Sequence, residues 1–364
     1  MSQALLLVIY AISFYVMVKY HATISRNPYL RAVNLLLIMF TVYGLMSVAL
    51  YGAVVHHVPA SEYFKRSYSS LLPIYVCYIY TKKGYLSIRI MQIWMVIMLV
   101  VGILAYHRTQ AENLANLMTG KETTNNSSYV LLALIPGMML FHKKPVFLFL
   151  GVGVCSFYVL MGMKRGAVLI DAILIAMIVN HLLKSSKGAL YRFLTIISII
   201  VGIVLLSNMI DNLLENSDFF NRRILQTQEG DTSQRDYLYS GLWDVFVNKS
   251  NVFNQIVGHG AWGTRKTFHA EAHNDWLQLL IDNGVLGIIL FVNYWFHFFK
   301  ESRSSKRTEL SRFCLFLVFL LFFIKSFYSM SIMSMSIFAT FFLGYCLADG
   351  FAEEMNKKYK QIKA

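Results

Sequence analysis

Apolar runs long enough to matter to a bilayer recur along the whole chain, near residues 2–19, 32–53, 67–81, 86–106, 128–142, 145–162, 166–183, 189–209, 285–299, 313–327 and 330–348. A run of about 20 apolar residues matches the hydrocarbon thickness of a membrane, and within it only a helix satisfies all of its own backbone polar groups. The runs therefore predict an all-α polytopic membrane protein of about eleven spans. The range is roughly 10–12, because the third and fifth runs are short and the last follows its neighbour almost directly. With 57% hydrophobic and only 14% charged residues, the composition excludes an ordinary soluble domain. The first run has no Lys or Arg ahead of it and no small-residue cleavage site, so a retained span is expected rather than a signal peptide.

The net charge of +14 invites a nucleic-acid reading, but the cations are spread over short connections between apolar runs, where topology explains them better. On alternate sides of the expected spans, one side collects twenty of the 33 Lys and Arg, including Lys300, Arg303, Lys306 and Arg307. The short loops of the other hold seven: Lys65, Arg66, Arg108, Lys121, Lys164, Arg165 and Lys325. The richer side is expected to be cytoplasmic. That places the N-terminus and the long loop from Asp211 to Gly284 outside the membrane. The four cysteines (Cys77, Cys155, Cys314, Cys346) fall in separate apolar runs without C-x-x-C spacing, and neither a disulfide framework nor a zinc site is expected.

Chemistry is expected in the long loop, the one stretch with room for a small extramembrane domain. The chain divides accordingly into an N-terminal bundle (1–208), a loop domain carrying the site (209–284), and C-terminal helices with a tail (285–364). Inside the loop, Thr232 or Ser233 can cap a helix whose apolar stripe is Leu238, Leu242, Val245 and Phe246. Arg235 lies on the buried side of its first turn, where a cation is unfavourable unless an anion meets it.

A polar, glycine- and histidine-rich segment follows, from Gly258 to Gly284. Gly258, Gly260 and Gly263 permit backbone conformations closed to other residues and predict a tight fold that fixes His269 and His273. A short helix should come next, capped by Asn274 or Asp275, striped by Leu277, Leu280 and Ile281, and stopped at Asn283-Gly284. His273 then sits at a helix N-terminus, where unpaired N–H groups and the dipole favour an anion such as a phosphate. The string His269-Ala-Glu271-Ala-His273 also invites a metal reading. In the zinc-protease pattern H-E-x-x-H, however, the Glu follows the first His directly, whereas Glu271 falls midway, and no third ligand is evident. No metal and no cofactor are expected. The candidate site residues are His273, Arg235 and Arg165, each also readable as structural (a capping histidine, a loop arginine paired with Asp231 or Asp236, an arginine snorkelling to the interface), with Arg265, His269, Glu271, Asn274, Gly258 and Gly260 as candidates to line the site. Arg165 stands where the sixth and seventh runs meet almost without a loop, at a depth where a charge is costly unless paired or used. Asp171, further along the seventh run, shares a helical face with Lys164, and a structural ion pair there is as good a reading as a catalytic acid.

The string AHNDWLQLLIDNGVLGIILF, with the G-x-G before it, resembles the signature of the O-antigen ligase and polymerase family of bacterial membrane glycosyltransferases. The resemblance covers roughly the C-terminal half, from Arg165 to Ala348. It implies a C-type glycosyltransferase of the inner membrane that moves a growing glycan from undecaprenyl diphosphate to a sugar hydroxyl on the periplasmic face. It matches the family's membrane-embedded arginine, its loop arginine and its H-N histidine to Arg165, Arg235 and His273. A guanidinium binds phosphate oxygens in pairs and keeps its charge, and a histidine is the side chain suited to accept a hydroxyl proton near neutrality, with Glu271 in reserve. The implied partners are lipid-linked donor and acceptor, the bilayer, a chain-length regulator and a flippase, with no nucleic acid. A repeat-unit polymerase is favoured because the chain reads H-N-D-x-L-Q-x-L. An O-antigen ligase is the alternative, differing only in acceptor. A flippase is the more distant one, disfavoured because few charges besides Asp171 and Lys325 lie in the runs.

Overall fold

The computed structural model describes residues 3–52, 54–55, 58–117, 125–162, 164–185, 235–334 and 336–352, with six isolated positions between 193 and 208. The eighth apolar run, the loop through residue 234 with its capping candidates Thr232 and Ser233, and the C-terminal tail thus lie outside the described residues, those six positions apart. What is described is almost entirely helical. The one exception to the all-α expectation is a two-residue strand pair, Val54–Val55 with Val58–Pro59.

Among the described residues, four helices are long and apolar enough to cross a membrane: Pro28–Tyr51, Ile88–Asn113 within a longer helix, Arg165–Lys184 likewise, and Asp275–Ser302. Shorter apolar helices stand beside them, and large apolar side chains such as Leu50, Leu104 and Leu150 are exposed on their surfaces. Sustained outward-facing hydrophobicity of this kind suits lipid, not water, so the chain is membrane-embedded.

The chain forms two compact units. The first comprises residues 1–88 and 234–364, the second residues 89–233. In the first lie α1 (Gln3–Lys19), α2 (His21–Ile24), α3 (Pro28–Tyr51), α4 (Ala60–Leu71) and α5 (Pro73–Lys82). The second holds α6 (Ile88–Leu117), α7 (Ser128–Leu132), a 3-10 turn at Ile135–Phe141, α8 (Pro145–Met161) and α9 (Arg165–Ser185). The first unit resumes with α10 (Arg235–Asp244), a π turn at Val245–Lys249, α11 (Val252–Val257), α12 (Gly263–Phe268), α13 (Asp275–Ser302), α14 (Glu309–Lys325) and α15 (Ile337–Leu347).

Three expected runs change shape in the structure. The fifth is a short α-helix followed by a 3-10 turn at Pro136, because proline cannot continue an α-helical ladder. The third extends back to Ala60 as two abutting helices meeting at Pro73. Of the last run, only Ile337–Leu347 is helical, and its first residues turn around Asp275, whose carboxylate accepts from the backbone N–H groups of Ser331 (2.7 Å) and Ile332 (3.0 Å).

Aromatic packing holds the first unit together. Tyr29 of α3 packs against Tyr294 and Phe298 of α13, with the two hydroxyls 3.0 Å apart, and Trp295 meets Phe319 of α14 edge-on. Gly344 of α15 lies so close to Ile74 and Cys77 of α5 that no side chain would fit. All four cysteines are reduced and buried, and Cys346 comes within hydrogen-bonding reach of Cys314 and lies close to Cys77, since α5, α14 and α15 converge there. In the second unit, Asp171 is buried and accepts a hydrogen bond from Ser156 of α8 at 3.0 Å, so it braces two helices.

Candidate functional site

The polar segment folds as its glycines and capping residues dictate. Asn274 is the N-cap of α13, its side-chain oxygen accepting from the backbone N–H groups of Trp276 (2.9 Å) and Leu277 (3.1 Å). Ten residues after that cap the helix breaks at Gly284 (φ 65°, ψ −162°), where the sequence predicts a left-handed stop. The carbonyls orphaned by the break are taken by the returning chain. The N–H of His259 donates to Ile281 O at 2.8 Å, and that of Gly260 to Asp282 O at 2.9 Å. This clasp requires glycine at Gly258 (φ 81°), whose added Cβ would collide with the backbone of Asp282 and Asn283. Gly263 differs from expectation, because its φ is ordinary. What it lacks is room, since a Cβ would stand 2.8 Å from that of His259.

Gln278 and Asp282, one helical turn apart on α13, then hold the segment from below. Asp282 accepts from the N–H of Thr264 at 2.8 Å and from the Gln278 amide at 2.6 Å, while Gln278 accepts from the N–H of Ala272 at 3.0 Å. Above them the expected apolar stripes meet. Leu242, Val245, Ala272 and Ile281 are buried in one cluster, flanked by Leu238, Phe246, Phe268 and Leu277. Burial of each large aliphatic side chain there contributes about 1.5–3 kcal/mol, enough to seat α10 on the polar segment.

The segment also climbs α3. Val257 O accepts from the Tyr43 hydroxyl, Ala261 N–H donates to Ser47 Oγ (3.1 Å), and Lys266 Nζ donates to the Tyr51 hydroxyl (3.0 Å), each step one turn further along. Three residues other than glycine take left-handed conformations on the way: Trp262 (φ 62°), His269 (φ 58°) and His273 (φ 50°). Such conformations cost about 1–3 kcal/mol each and persist where surrounding structure enforces them, often at functional sites.

Two clusters of polar side chains result. In the first, Glu271 is gripped by Arg66 (3.1 Å) and Arg265 (2.6 Å), while Arg66 also meets Glu62 (3.2 Å). Both guanidiniums lie over the ring of the fully buried Trp262, at 5.1 and 5.5 Å. Burial pushes the Glu271 carboxyl up, but the hydrogen bond from Arg265 and the charges of Arg66 and Arg265 outweigh it and leave it below its ordinary value. The expected reserve base is therefore a poor one, and it faces the arginines rather than joining His269 and His273 around a metal. Arg265 is correspondingly an ion-pair partner of Glu271.

That clamp has a pH signature. A carboxyl held low binds its proton less readily in the folded than in the unfolded chain, so its stabilisation is complete above the ordinary carboxylate value and is lost as pH falls through the lowered one. Thermal unfolding of the detergent-solubilised protein should give a Tm that declines over that acidic window, and Glu271→Gln should lower Tm at neutral pH while flattening the decline. An unchanged acid slope in the variant would assign the effect to other groups.

The second cluster surrounds Tyr239 of α10. Arg235 begins the helix, and its charge acts on the Tyr239 phenol one turn on. The Tyr239 hydroxyl donates to the carbonyl of His273 at 3.4 Å, and its oxygen accepts from the side chain of Asn274. Burial raises the phenol from its ordinary value, and Arg235 partly offsets that. Arg235 is half-buried, and His273 and His269 are exposed. The structure thus brings Arg235 and His273 to one phenol. Arg165, exposed at the start of α9, belongs to the other unit.

The expectation of open N–H groups beside His273 is corrected. Asp275 N–H donates to Ser326 O (2.9 Å), the next two N–H groups go to Asn274, and the Asn274 amide donates to Phe327 O (2.8 Å). Asn274 therefore builds the turn that presents His273. Gly258 and Gly260 likewise have their N–H groups engaged, at Asn254 O and Asp282 O, and serve as backbone clasps, not as a phosphate cradle. Lys325 is buried at the end of α14 and donates to Ser334 at 3.0 Å, holding the turn around Asp275.

Sequence reasoning passed over Arg66, Tyr239 and the Gln278–Asp282 pair. Each had a signal: Arg66 is a cation on the sparsely charged side, Tyr239 lies four residues after Arg235, and Gln278 and Asp282 are polar at i, i+4 in an otherwise apolar helix. No protein-family model matches the chain, and neither does any curated protein.

Proposed function

We propose that the chain is a metal-independent membrane glycosyltransferase of the C type that polymerises undecaprenyl-diphosphate-linked oligosaccharide repeat units, as the resemblance to O-antigen ligases and polymerases implies. The observation that supports it is the gathering of Arg235 and an exposed, left-handed His273 around Tyr239, at the end of a polar segment built against membrane helices. In the proposed reaction His273 accepts the proton of the acceptor hydroxyl. The oxygen attacks the anomeric carbon, the bond from that carbon to the diphosphate oxygen breaks, and undecaprenyl diphosphate leaves with Arg235 compensating its charge. Arg165 takes the second phosphate role by resemblance alone. Transfer to lipid A-core would use the same steps. The string from His273 through Leu280 favours the polymerase.

In-vitro extension of an undecaprenyl-diphosphate-linked repeat by purified protein tests the reading, and no extension with either acceptor removes it. The same assay should give unchanged turnover in EDTA, because Glu271 is committed to arginines. Loss on chelation with rescue by a divalent cation would restore a metal to the mechanism. The proposal also sets about eleven spans in a bacterial inner membrane with the site outside. Cysteines at the exposed positions Ser240 and Ser305 should then differ in intact cells with a permeabilised outer envelope, only Ser240→Cys reacting with an impermeant thiol reagent. The reverse pattern would place the site in the cytoplasm.

A further inference from the structure

The stretch before the polar segment carries apolar side chains that its own fold leaves outside. On α11, Val252 is 71% exposed, Phe253 70% and Ile256 49%. The helix's other side is occupied: Gln255 donates to Phe246 O at 3.0 Å, and the Asn251 side chain caps the N–H of Asn254 at 2.8 Å. An aqueous loop helix would turn such a face inward.

Its depth is fixed by α3. The charged side of α3 begins at Arg31, and the twenty residues from there to Tyr51 span about 30 Å, the thickness of a hydrocarbon core. At the Tyr51 end the polar level is marked by Lys266, which bonds the Tyr51 hydroxyl. The last residue of α11, Val257, accepts its hydrogen bond from Tyr43, which is eight residues and about 12 Å short of Tyr51. Side chains on a helix lean toward its N-terminus, so the reach of Tyr43 deepens this level. Six helical residues extend about 9 Å, so α11 remains below Tyr51 even standing upright along α3. At that level its neighbours also carry exposed apolar side chains. Gly284 touches Ile256, and Val285, Leu286 and Ile289, which follow it on α13, are exposed, as are Leu45 and Met46 of α3.

From this we infer that α11 is inserted into the bilayer, with Val252, Phe253 and Ile256 against acyl chains in the half of the membrane nearer Tyr51. The π turn before it, with the Asp244–Lys249 ion pair at 2.8 Å and the amide of Asn248, then lies at the headgroup level. The inference rests on packing and depth and holds whether or not the chain transfers sugars.

Nitroxide labels at Phe253→Cys and, separately, Asn248→Cys in the full chain test it, in vesicles of phosphatidylethanolamine and phosphatidylglycerol. Protein without an added cysteine supplies the background from the four buried thiols. Collision rates are measured with molecular oxygen and with a neutral, water-soluble nickel chelate. At 253 oxygen should reach the label readily, while the nickel rate falls several-fold below that at 248. Nickel access equal to that at 248 would place α11 in water, and poor access to both probes would place it under protein; either result overturns insertion. Val252→Cys, on the same exposed face, should repeat the pattern if the aromatic replacement perturbs the fold.

Discussion

Replacing His273 with alanine should lower turnover in repeat-unit extension by about 10²–10⁴-fold, the usual cost of a lost general base, while donor binding stays near that of the parent. The backbone complicates this variant, because alanine at φ 50° is strained. His273→Asn separates the two effects. Asparagine tolerates the left-handed conformation, so it keeps the turn ahead of Asn274 but cannot exchange a proton at neutral pH. Comparable loss in both variants, with unchanged thermal unfolding in the asparagine variant, is the expected outcome. Parental turnover in His273→Asn would take the histidine out of the mechanism and leave the turn with a structural role.

Arg235→Ala should behave differently, weakening donor binding as well as turnover. A cation that meets pyrophosphate acts in both ground and transition states, and removing it costs both. Lysine should restore only part, since it carries the charge without the paired donors of a guanidinium. Little folding stability should be lost, because a cation in the first turn of a helix opposes the dipole. Tyr239→Phe offers the internal comparison: it deletes the hydroxyl that links α10 to His273 and Asn274 while leaving the Arg235 charge in place. Donor affinity unchanged in Arg235→Ala would end the phosphate role of this arginine.

The second unit bears on the same question only through Arg165, at the start of α9. Its variant belongs in the same donor-binding assay, and a double variant with Arg235 falling short of additivity would join the two at one phosphate group.

What consecutive residues encode was legible in the sequence. The apolar runs gave a helical membrane protein. The i, i+3, i+4 stripes of α10 and α13 meet in one cluster, Asn274 caps, and Gly284 breaks its helix. Each of these follows from periodicity or from a local backbone preference, so neighbours in the chain suffice. Tertiary structure decided the rest. Glu271 looked like a base beside two histidines, but its charge is compensated by Arg265, six residues before it, and by Arg66, 205 residues away, which no local pattern names. Gly263 was read for its dihedral freedom and is needed for the space beside His259. The anion-accepting N–H groups expected at His273 are consumed, because Ser326 and the Asn274 side chain reach them first. Electrostatic partners and close approaches are set by which surfaces meet, and that depends on how α3, α13 and α14 pack around the segment.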